Sequence, residues 1–488
     1  MNQKPHKILF KTTTLFGFVE VLRMALKVAT NMGASYFLGP KGIGMLGLIE
    51  NTVQLISSFT NFGIQFTGVQ NIASKLGGDE VAFHKAIKNV KLFSLLTGLL
   101  AALVSILGAQ LLSELTFDTK DYTYWFIALS VYFICSSYIQ VHTLFLEAIQ
   151  NFQKLIRINV VLNIISTIVV LACYYLYNIE GVLIAMLVNS IIGCVVFFYL
   201  KLVPNVKITY LPRERSFALK DLMKSGSLLA INTFIGFLCF YVIRTYFKTI
   251  NGDLLGFYHA AVIILVSYLG MLFIAMGKFF FPRLSQIYEN KTQTNVFINS
   301  QLELNFLVIL PAILFVYLFG EPLIELLFTT AFKPVYAVLV FGLASILFKG
   351  FNYAVGYLLL SHKNYTQYFY INLLSDVVNV GLNLMLYNWL GLLGIGLAFL
   401  INYIVSSIYI YSYVSVKYSY HLSKSVSTYL LTSCLTIVLV IFLYLFAPKA
   451  VFNWITAILL LLSTLFSAVK IDAYLFDATL LKKLKKIF

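Results

Sequence analysis

The chain has 488 residues, 60% of them hydrophobic and 11% charged, with a mean hydropathy of +0.88. A soluble globular chain is about 45–50% apolar and about 25% charged, so a soluble domain is excluded and an all-α polytopic membrane protein is expected. The net charge of +16 would suit nucleic acid, but where the charges lie gives them another meaning, and no nucleic-acid partner is expected.

The first residues, MNQKPHKILFKTTT, are basic, and no small-residue cleavage site follows a short apolar core. Thr12–Gly39 is therefore expected to stay as the first span rather than leave as a signal peptide. An apolar run of this length reads as a membrane-spanning helix, yet it carries Glu20, Arg23 and Lys27. At about 100° per residue these three fall within an arc of roughly 60°. Each buried charge costs roughly 2.5–3.5 kcal/mol on insertion scales. That face is expected to look at a partner helix or a wet cavity, and the rest of the chain to form the cavity wall.

Hydropathy places fourteen spans, at about 12–38, 43–73, 92–115, 122–148, 155–177, 180–201, 223–249, 254–281, 303–320, 334–360, 366–388, 392–416, 427–447 and 450–469. Most connections are short and hold Gly, Pro, Asn or Asp, as in GPKG, YNIEG, TINGD and NWLG. Of the 35 Lys and Arg residues, 26 fall on the side of the N-terminus, 5 in the opposite loops and 4 inside spans. This asymmetry predicts cytoplasmic termini and explains the basic balance as topology plus attraction to anionic lipid.

The longest inner connection, Lys201–Lys224, follows the sixth span and divides the first twelve into six and six. The expected organisation is an N-lobe (1–202), a cytoplasmic linker (203–222), a C-lobe (223–418), two additional spans (419–470) and a basic cytoplasmic tail (471–488). Repeats with an even number of spans are parallel, about an axis along the membrane normal. GIGMLGLIENTVQL after span one and GDLLGFYHAAVIIL after span seven share their character. The tail, ending LLKKLKKIF, reads either as an amphipathic surface helix or as a plain solvated basic segment.

Span two carries Glu50, Gln54, Ser57, Ser58, Asn61 and Gln65 within roughly 100° of one another. Helix–helix glue needs one or two such residues, and six in line favour the wall of a water-filled cavity. Span eleven repeats the device with Asn372, Asp376, Asn379 and Asn383, and span ten offers Ser345, Lys349, Asn352 and Tyr353. Four cations lie within spans: Arg23, Lys27, Arg244 and Lys349. Each is either half of a structural ion pair with Glu20, Glu50 or Asp376, or part of a cationic cavity for an anionic substrate. A diphosphate suits the second reading, because Arg binds phosphate bidentately and Lys acts as a point charge. One of the three acids could serve as a proton or Na⁺ site. Glu147, near the inner end of span four, is explained by snorkelling. The five cysteines, Cys135, Cys173, Cys194, Cys239 and Cys434, form no CxxC pair, so neither disulfides nor a metal site is expected. No phosphate-binding loop or nucleotide turn is present, and no cofactor is expected.

The segment Phe37–Leu48, FLGPKGIGMLGL, resembles the turn between spans one and two of Wzx-type O-antigen flippases, in the multidrug/oligosaccharidyl-lipid/polysaccharide exporter superfamily. Gly39, Pro40, Gly42 and Gly44 carry that match. Phe279–Tyr288, FFFPRLSQIY, is similar to the family's ending of span eight, and Lys349–Lys363, KGFNYAVGYLLLSHK, to its lysine-plus-glycine stretch on span ten. Twelve spans are common in Wzx proteins, and the extra pair also points toward the lipid II flippase branch. The resemblance implies two six-helix lobes rocking about a central cationic cavity. It implies a substrate, an undecaprenyl-diphosphate-linked oligosaccharide, carried from the inner to the outer leaflet of a bacterial cytoplasmic membrane. It also implies polysaccharide polymerases as candidate partners and no enzymatic activity. Substrate-binding residues would be Arg23, Lys27, Arg244 and Lys349, with Glu20, Glu50, Gln54, Asn61, Gln65, Asn352, Asn372, Asp376 and Asn379 lining the cavity. A drug or metabolite exporter of the same superfamily and a polyprenyl-dependent membrane glycosyltransferase are the competing readings. The glycosyltransferase is disfavoured because the longest outer connection, near Gly320–Pro334, leaves little room for a catalytic head.

Overall fold

The structure, a computed structural model, describes the backbone of residues 5–76, 80–203 and 212–476. It describes side chains there except those of 5–21, 66, 212–226, 229, 274–279, 282 and 474–476. Glu20 has a placed backbone only, and the tail 477–488 and residues 204–211 of the expected linker lie outside the described residues.

The described residues are helical throughout their ordered elements, and no strand occurs among them. In chain order the helices are α1 (Pro5–Thr60), α2 (Ile64–Ala73), α3 (Glu80–Leu107), α4 (Ala109–Phe117), α5 (Thr123–Ala148), α6 (Phe152–Tyr177), α7 (Glu180–Leu200), α8 (Pro212–Ile250) and α9 (Gly252–Val262). A π-helical turn, Ile263–Tyr268, leads into α10 (Gly270–Ile287). Then follow α11 (Lys291–Leu327), α12 (Val335–Ser361), α13 (Tyr365–Leu390), α14 (Leu392–Tyr418), α15 (Lys424–Phe446) and α16 (Lys449–Phe476).

Twelve segments among the described residues are long and apolar enough to cross a membrane, from Glu80–Leu107 to Lys449–Ala473. They match spans three to fourteen of the sequence in order. Span one is the first arm of α1 and span two is its second arm continued by α2, the arms meeting at Gly39, the one residue inside α1 with non-helical dihedrals (φ 65°, ψ −172°). This chain is an all-α, multi-pass membrane protein.

Contact clustering divides the chain into two compact units, residues 1–256 and 257–488. In the first, α1 packs on α6, α8 and α3, while α5 packs on α3 and α7. In the second, α12 packs on α14 and α11, and α15 and α16 both pack on α11. The additional pair of spans is therefore seated on the second unit. The loop into α15 is fastened to α11 as well: Asn295 Nδ2 donates to the Ser419 carbonyl (3.1 Å), Asn299 Nδ2 to the His421 carbonyl (3.0 Å), and Asn299 Oδ1 accepts from the Ser423 amide (2.9 Å).

Two backbone features shape the first unit. The αL-side φ of Gly39 is open to glycine and strained for other residues, and Pro40 follows as the first residue of the second arm. That arm then meets the start of α9 backbone to backbone. A Cβ on Gly256 would stand 2.0 Å from the Pro40 carbonyl oxygen, and one on Gly44 would stand 2.7 Å from the Gly256 nitrogen. The second feature breaks span two itself. Asn61, Phe62 and Gly63 separate α1 from α2, with Phe62 at φ 46° and Gly63 at φ 72°.

Arg244 of α8 ties the same arm of α1 from another side. It is 6% exposed. Its Nη1 donates to the Gly47 carbonyl and to Asn51 Oδ1 at 3.2 Å. Asn51 Nδ2 in turn donates to the Phe237 carbonyl of α8 at 2.9 Å.

Three substitutions test these contacts. Gly256→Ala forces the backbones apart and should destabilise the protein by about 1–3 kcal/mol, read as a lower thermal midpoint in detergent. Gly381→Ala, whose Cβ meets nothing within 4 Å, should be neutral or raise the midpoint. Arg244→Leu leaves the Gly47 and Asn51 acceptors buried without their donor, a loss of about 1–3 kcal/mol. It should lower the yield of folded protein, and Arg244→Lys should recover part of it.

Candidate functional site

The first unit gathers several of the charged residues singled out in the sequence. Glu50 stands on the second arm of α1, and the charges of Lys27 and Arg244 both act on it electrostatically. Lys27 lies on the first arm of the same helix, so the Gly39 kink is what lets two charged faces of one helix come within electrostatic reach. Arg23 and Lys27 are exposed. Glu50 is surrounded by protein atoms yet reachable by solvent, as expected for a side chain in a wet recess. Tyr132 of α5 and Tyr174 of α6 also lie within the field of the Glu50 carboxylate, and the sequence reading named neither. Arg244 is held in the α1–α8 contact described above.

The rest of the span-two stripe leads into a cavity of ≈ 380 Å³. Asn61 in the helix break and Gln65 just after it line the cavity together with Ser57 and Thr60. The opposite wall is α5, with Phe133, Ser136, Gln140, Thr143 and Glu147. Irregular backbone at membrane depth persists only where it is covered by protein or lines a wet cavity, and the break at Asn61–Gly63 meets that condition here. Gln54 is exposed on the same helix, one turn beyond Glu50. Gln140 was not singled out in the sequence because an isolated glutamine in an apolar span gives no periodic signal. Glu147 was read as snorkelling and instead helps to line this cavity.

The second unit carries a lysine beside a tyrosine ring. Lys349 of α12 is half-buried and makes no salt bridge with any described residue. Its Nζ lies 6.0 Å from the centroid of the Tyr403 ring on α14, at the outer range of a cation–π contact. It also lies 3.2 Å from where a Cβ on Gly270 would be. Tyr403 is within the field of Asp376 on α13, and Asp376 also acts on Tyr368, whose backbone carbonyl accepts from Asn372 Nδ2 at 2.9 Å. Asn352 faces α14: its Oδ1 accepts from the Ser407 hydroxyl (2.7 Å), and its Nδ2 reaches the Tyr403 carbonyl (3.4 Å). Asn379 is different. It is 5% exposed and accepts from Asn383 Nδ2 through both its carbonyl (2.8 Å) and its Oδ1 (2.9 Å). That pair is packed within the helix layer. Among the described residues no group of three His, Cys, Asp or Glu side chains could hold a metal ion, and none of the five cysteines is in a disulfide.

The architecture matches known transporters. The fold is similar to that of lipid II flippase MurJ in an inward closed conformation, with TM-score 0.69 and 16% identity over 96% of this chain and 99% of that one. It is also similar to an inward-facing multidrug resistance MATE family transporter of the MOP superfamily, with TM-score 0.67 and 14% identity over 81% of this chain and 95% of that one. A third likeness is a MOP superfamily transporter from Pyrococcus furiosus, described as having a binding pocket of reverse polarity, with TM-score 0.58 and 13% identity over 83% of this chain and 96% of that one. No curated protein matches the chain by sequence. Residues 35–337 match the family described as polysaccharide biosynthesis protein. Those residues span both units and include Glu50, Arg244 and the polar cavity, and with this match over more than half its length the chain belongs to the polysaccharide biosynthesis protein family.

Proposed function

We propose that this protein is a flippase that carries an undecaprenyl-diphosphate-linked oligosaccharide, of the O-antigen repeat class, from the inner to the outer leaflet of the bacterial cytoplasmic membrane by alternating access. The family supports the polysaccharide context, and the fold supports a transporter rather than an enzyme. The observation that carries the reading is Lys349, a cation enclosed within a span with no salt bridge to any described residue. An ammonium in hydrocarbon costs a few kcal/mol, and structural lysines in such places are paired with an acid. One without such a partner is available to a mobile anion.

A diphosphate is the anion that fits. Its charge is concentrated, and in a partly dry recess it is attracted more strongly than in water. The first unit offers a cation of its own, Lys27, within the field of the acid Glu50. Mixed signs weaken the hold on the headgroup, as release into the far leaflet requires. Arg244 takes a different part in this scheme, fixing the arm that bears Glu50. Both termini are assigned to the cytoplasm on the strength of the Lys and Arg distribution.

One feature favours a cation exporter of the same superfamily: Asp376 among Tyr368 and Tyr403, a setting that suits an aromatic cation. Lys349 beside the same Tyr403 opposes it by repulsion.

In cells, Lys349→Ala and Arg23→Ala should each abolish surface polysaccharide while the folded protein stays in the membrane. Lys349→Arg should retain more export than Lys349→Ala, since charge counts before shape. Normal export by both Ala variants would make these residues structural and sink the cationic mechanism.

A further inference from the structure

We infer that the ≈ 380 Å³ cavity of the first unit is a sugar subsite, which takes uncharged sugar rings of the lipid-linked cargo; this deepens the transport reading above and rests on it.

The chemistry of the wall differs from that of the charged positions. No Lys or Arg lines the cavity, so it is not built for the diphosphate. Its polar groups are carboxamides (Asn61, Gln65 and Gln140), hydroxyls (Ser57, Ser136 and Thr143 among them) and a single carboxylate, Glu147. A carboxamide presents a donor and an acceptor side by side. Neighbouring hydroxyls on a sugar ring present the same pair, so an amide can engage both at once. Gln140 from α5 and Gln65 from α2 would meet such a ring from opposite walls. Glu147 has acceptor capacity for a hydroxyl or an acetamido N–H.

These amides are also uncommitted. Polar side chains that glue membrane helices bond to one another or to backbone, as Asn379 with Asn383 and Asn51 with Phe237 do here. The side-chain amides of Asn61, Gln65 and Gln140 make no hydrogen bond within the described residues. Their hydrogen-bonding capacity is left for whatever fills the space. The volume lies at the lower end of the range for small-molecule sites, about 300–1,000 Å³.

A bare cation fits the cavity less well. It would need several oxygens converging at about 2.3–2.6 Å, and the cavity is far wider than one ion. The break at Asn61–Gly63 has a use in the same scheme, since Asn61 of the break and Gln65 of α2 line one space.

The test uses the full-length protein in lipid nanodiscs, with saturation-transfer NMR to four free sugars: glucose, galactose, rhamnose and N-acetylglucosamine. At least one should receive transfer from the native protein. Gln140→Leu, which keeps the bulk and removes the amide, should cut that signal at least about fivefold. Gln140→Asn should recover part of it, and Thr143→Val, a near-isosteric change on the same wall, should weaken it independently. Unchanged thermal midpoints would show that the variants are folded. No transfer to any of the four sugars, or transfer indifferent to both Gln140→Leu and Thr143→Val, overturns the assignment. A second probe, polyprenyl diphosphate without sugar, separates this assignment from the transport reading. Native protein that binds the sugar but not the bare lipid diphosphate would refute the transport reading and keep the sugar site. Binding of the bare lipid diphosphate with a sugar signal insensitive to both substitutions would refute the sugar site alone.

Discussion

Hydrocarbon solvates neither charges nor unpaired peptide groups, and the placement of polar side chains in this protein follows from that constraint. Side chains that find a partner inside the helix layer are buried with it. Arg244 has Gly47 and Asn51, Asn383 has Asn379, and Asn305 has the Gly350 carbonyl at 3.0 Å. Others are not covered by the helix layer: Glu50, Gln54 and Gln65 are all exposed. The division separates groups that hold helices together from groups that are available to a ligand. It does so without reference to sequence position, since both kinds occur on the same arm of α1.

The same constraint gives the helix interruptions their meaning. A membrane helix is uninterrupted unless something else satisfies the freed backbone groups. This chain interrupts its helices at Gly39, at Asn61–Gly63 and at the π-helical turn Ile263–Tyr268. The first is stabilised by the near-contact of Pro40 with Gly256. The second opens on the polar cavity. The third precedes Gly270, which borders Lys349. π-Turns inside helices occur often at functional sites, and here the turn lies a few residues from the enclosed cation.

The fold was legible in the sequence because hydropathy integrates over twenty or so residues, and all twelve spans recognised in the structure were expected in order. The kink at Gly39 was marked by the GPKG turn. The break in span two was missed, although Asn61-Phe62-Gly63 is a turn signal, because the surrounding run is apolar enough to read as continuous. Of the six polar residues aligned on span two, Ser57, Asn61 and Gln65 line the cavity, but single polar residues such as Gln140 carry no period and could not be assigned to a wall. The tyrosines around Glu50 and Asp376 escaped notice for a related reason. Tyrosine counts as apolar in a hydropathy sum, and its role appears only when helices bring its hydroxyl to an acid. Arg244 shows the converse limit: the sequence marked it as a cation at depth, and only the packing shows that its guanidinium bonds Gly47 and Asn51.

If the cargo is a glycan on a lipid diphosphate, its two ends place opposed demands on the protein. Coulomb attraction falls slowly with distance and has little directionality, so Lys27 and Lys349 can attract a diphosphate but cannot tell one glycan from another. Hydrogen bonds from fixed amides are directional and discriminate by leaving a mismatched group unpaired. Affinity and selectivity would then reside in different side chains, the first in the cations and the second in the amides of the polar cavity. Such a separation lets the walls at Asn61, Gln65 and Gln140 change with the sugar while the charges stay fixed, because the diphosphate is common to every cargo of this class.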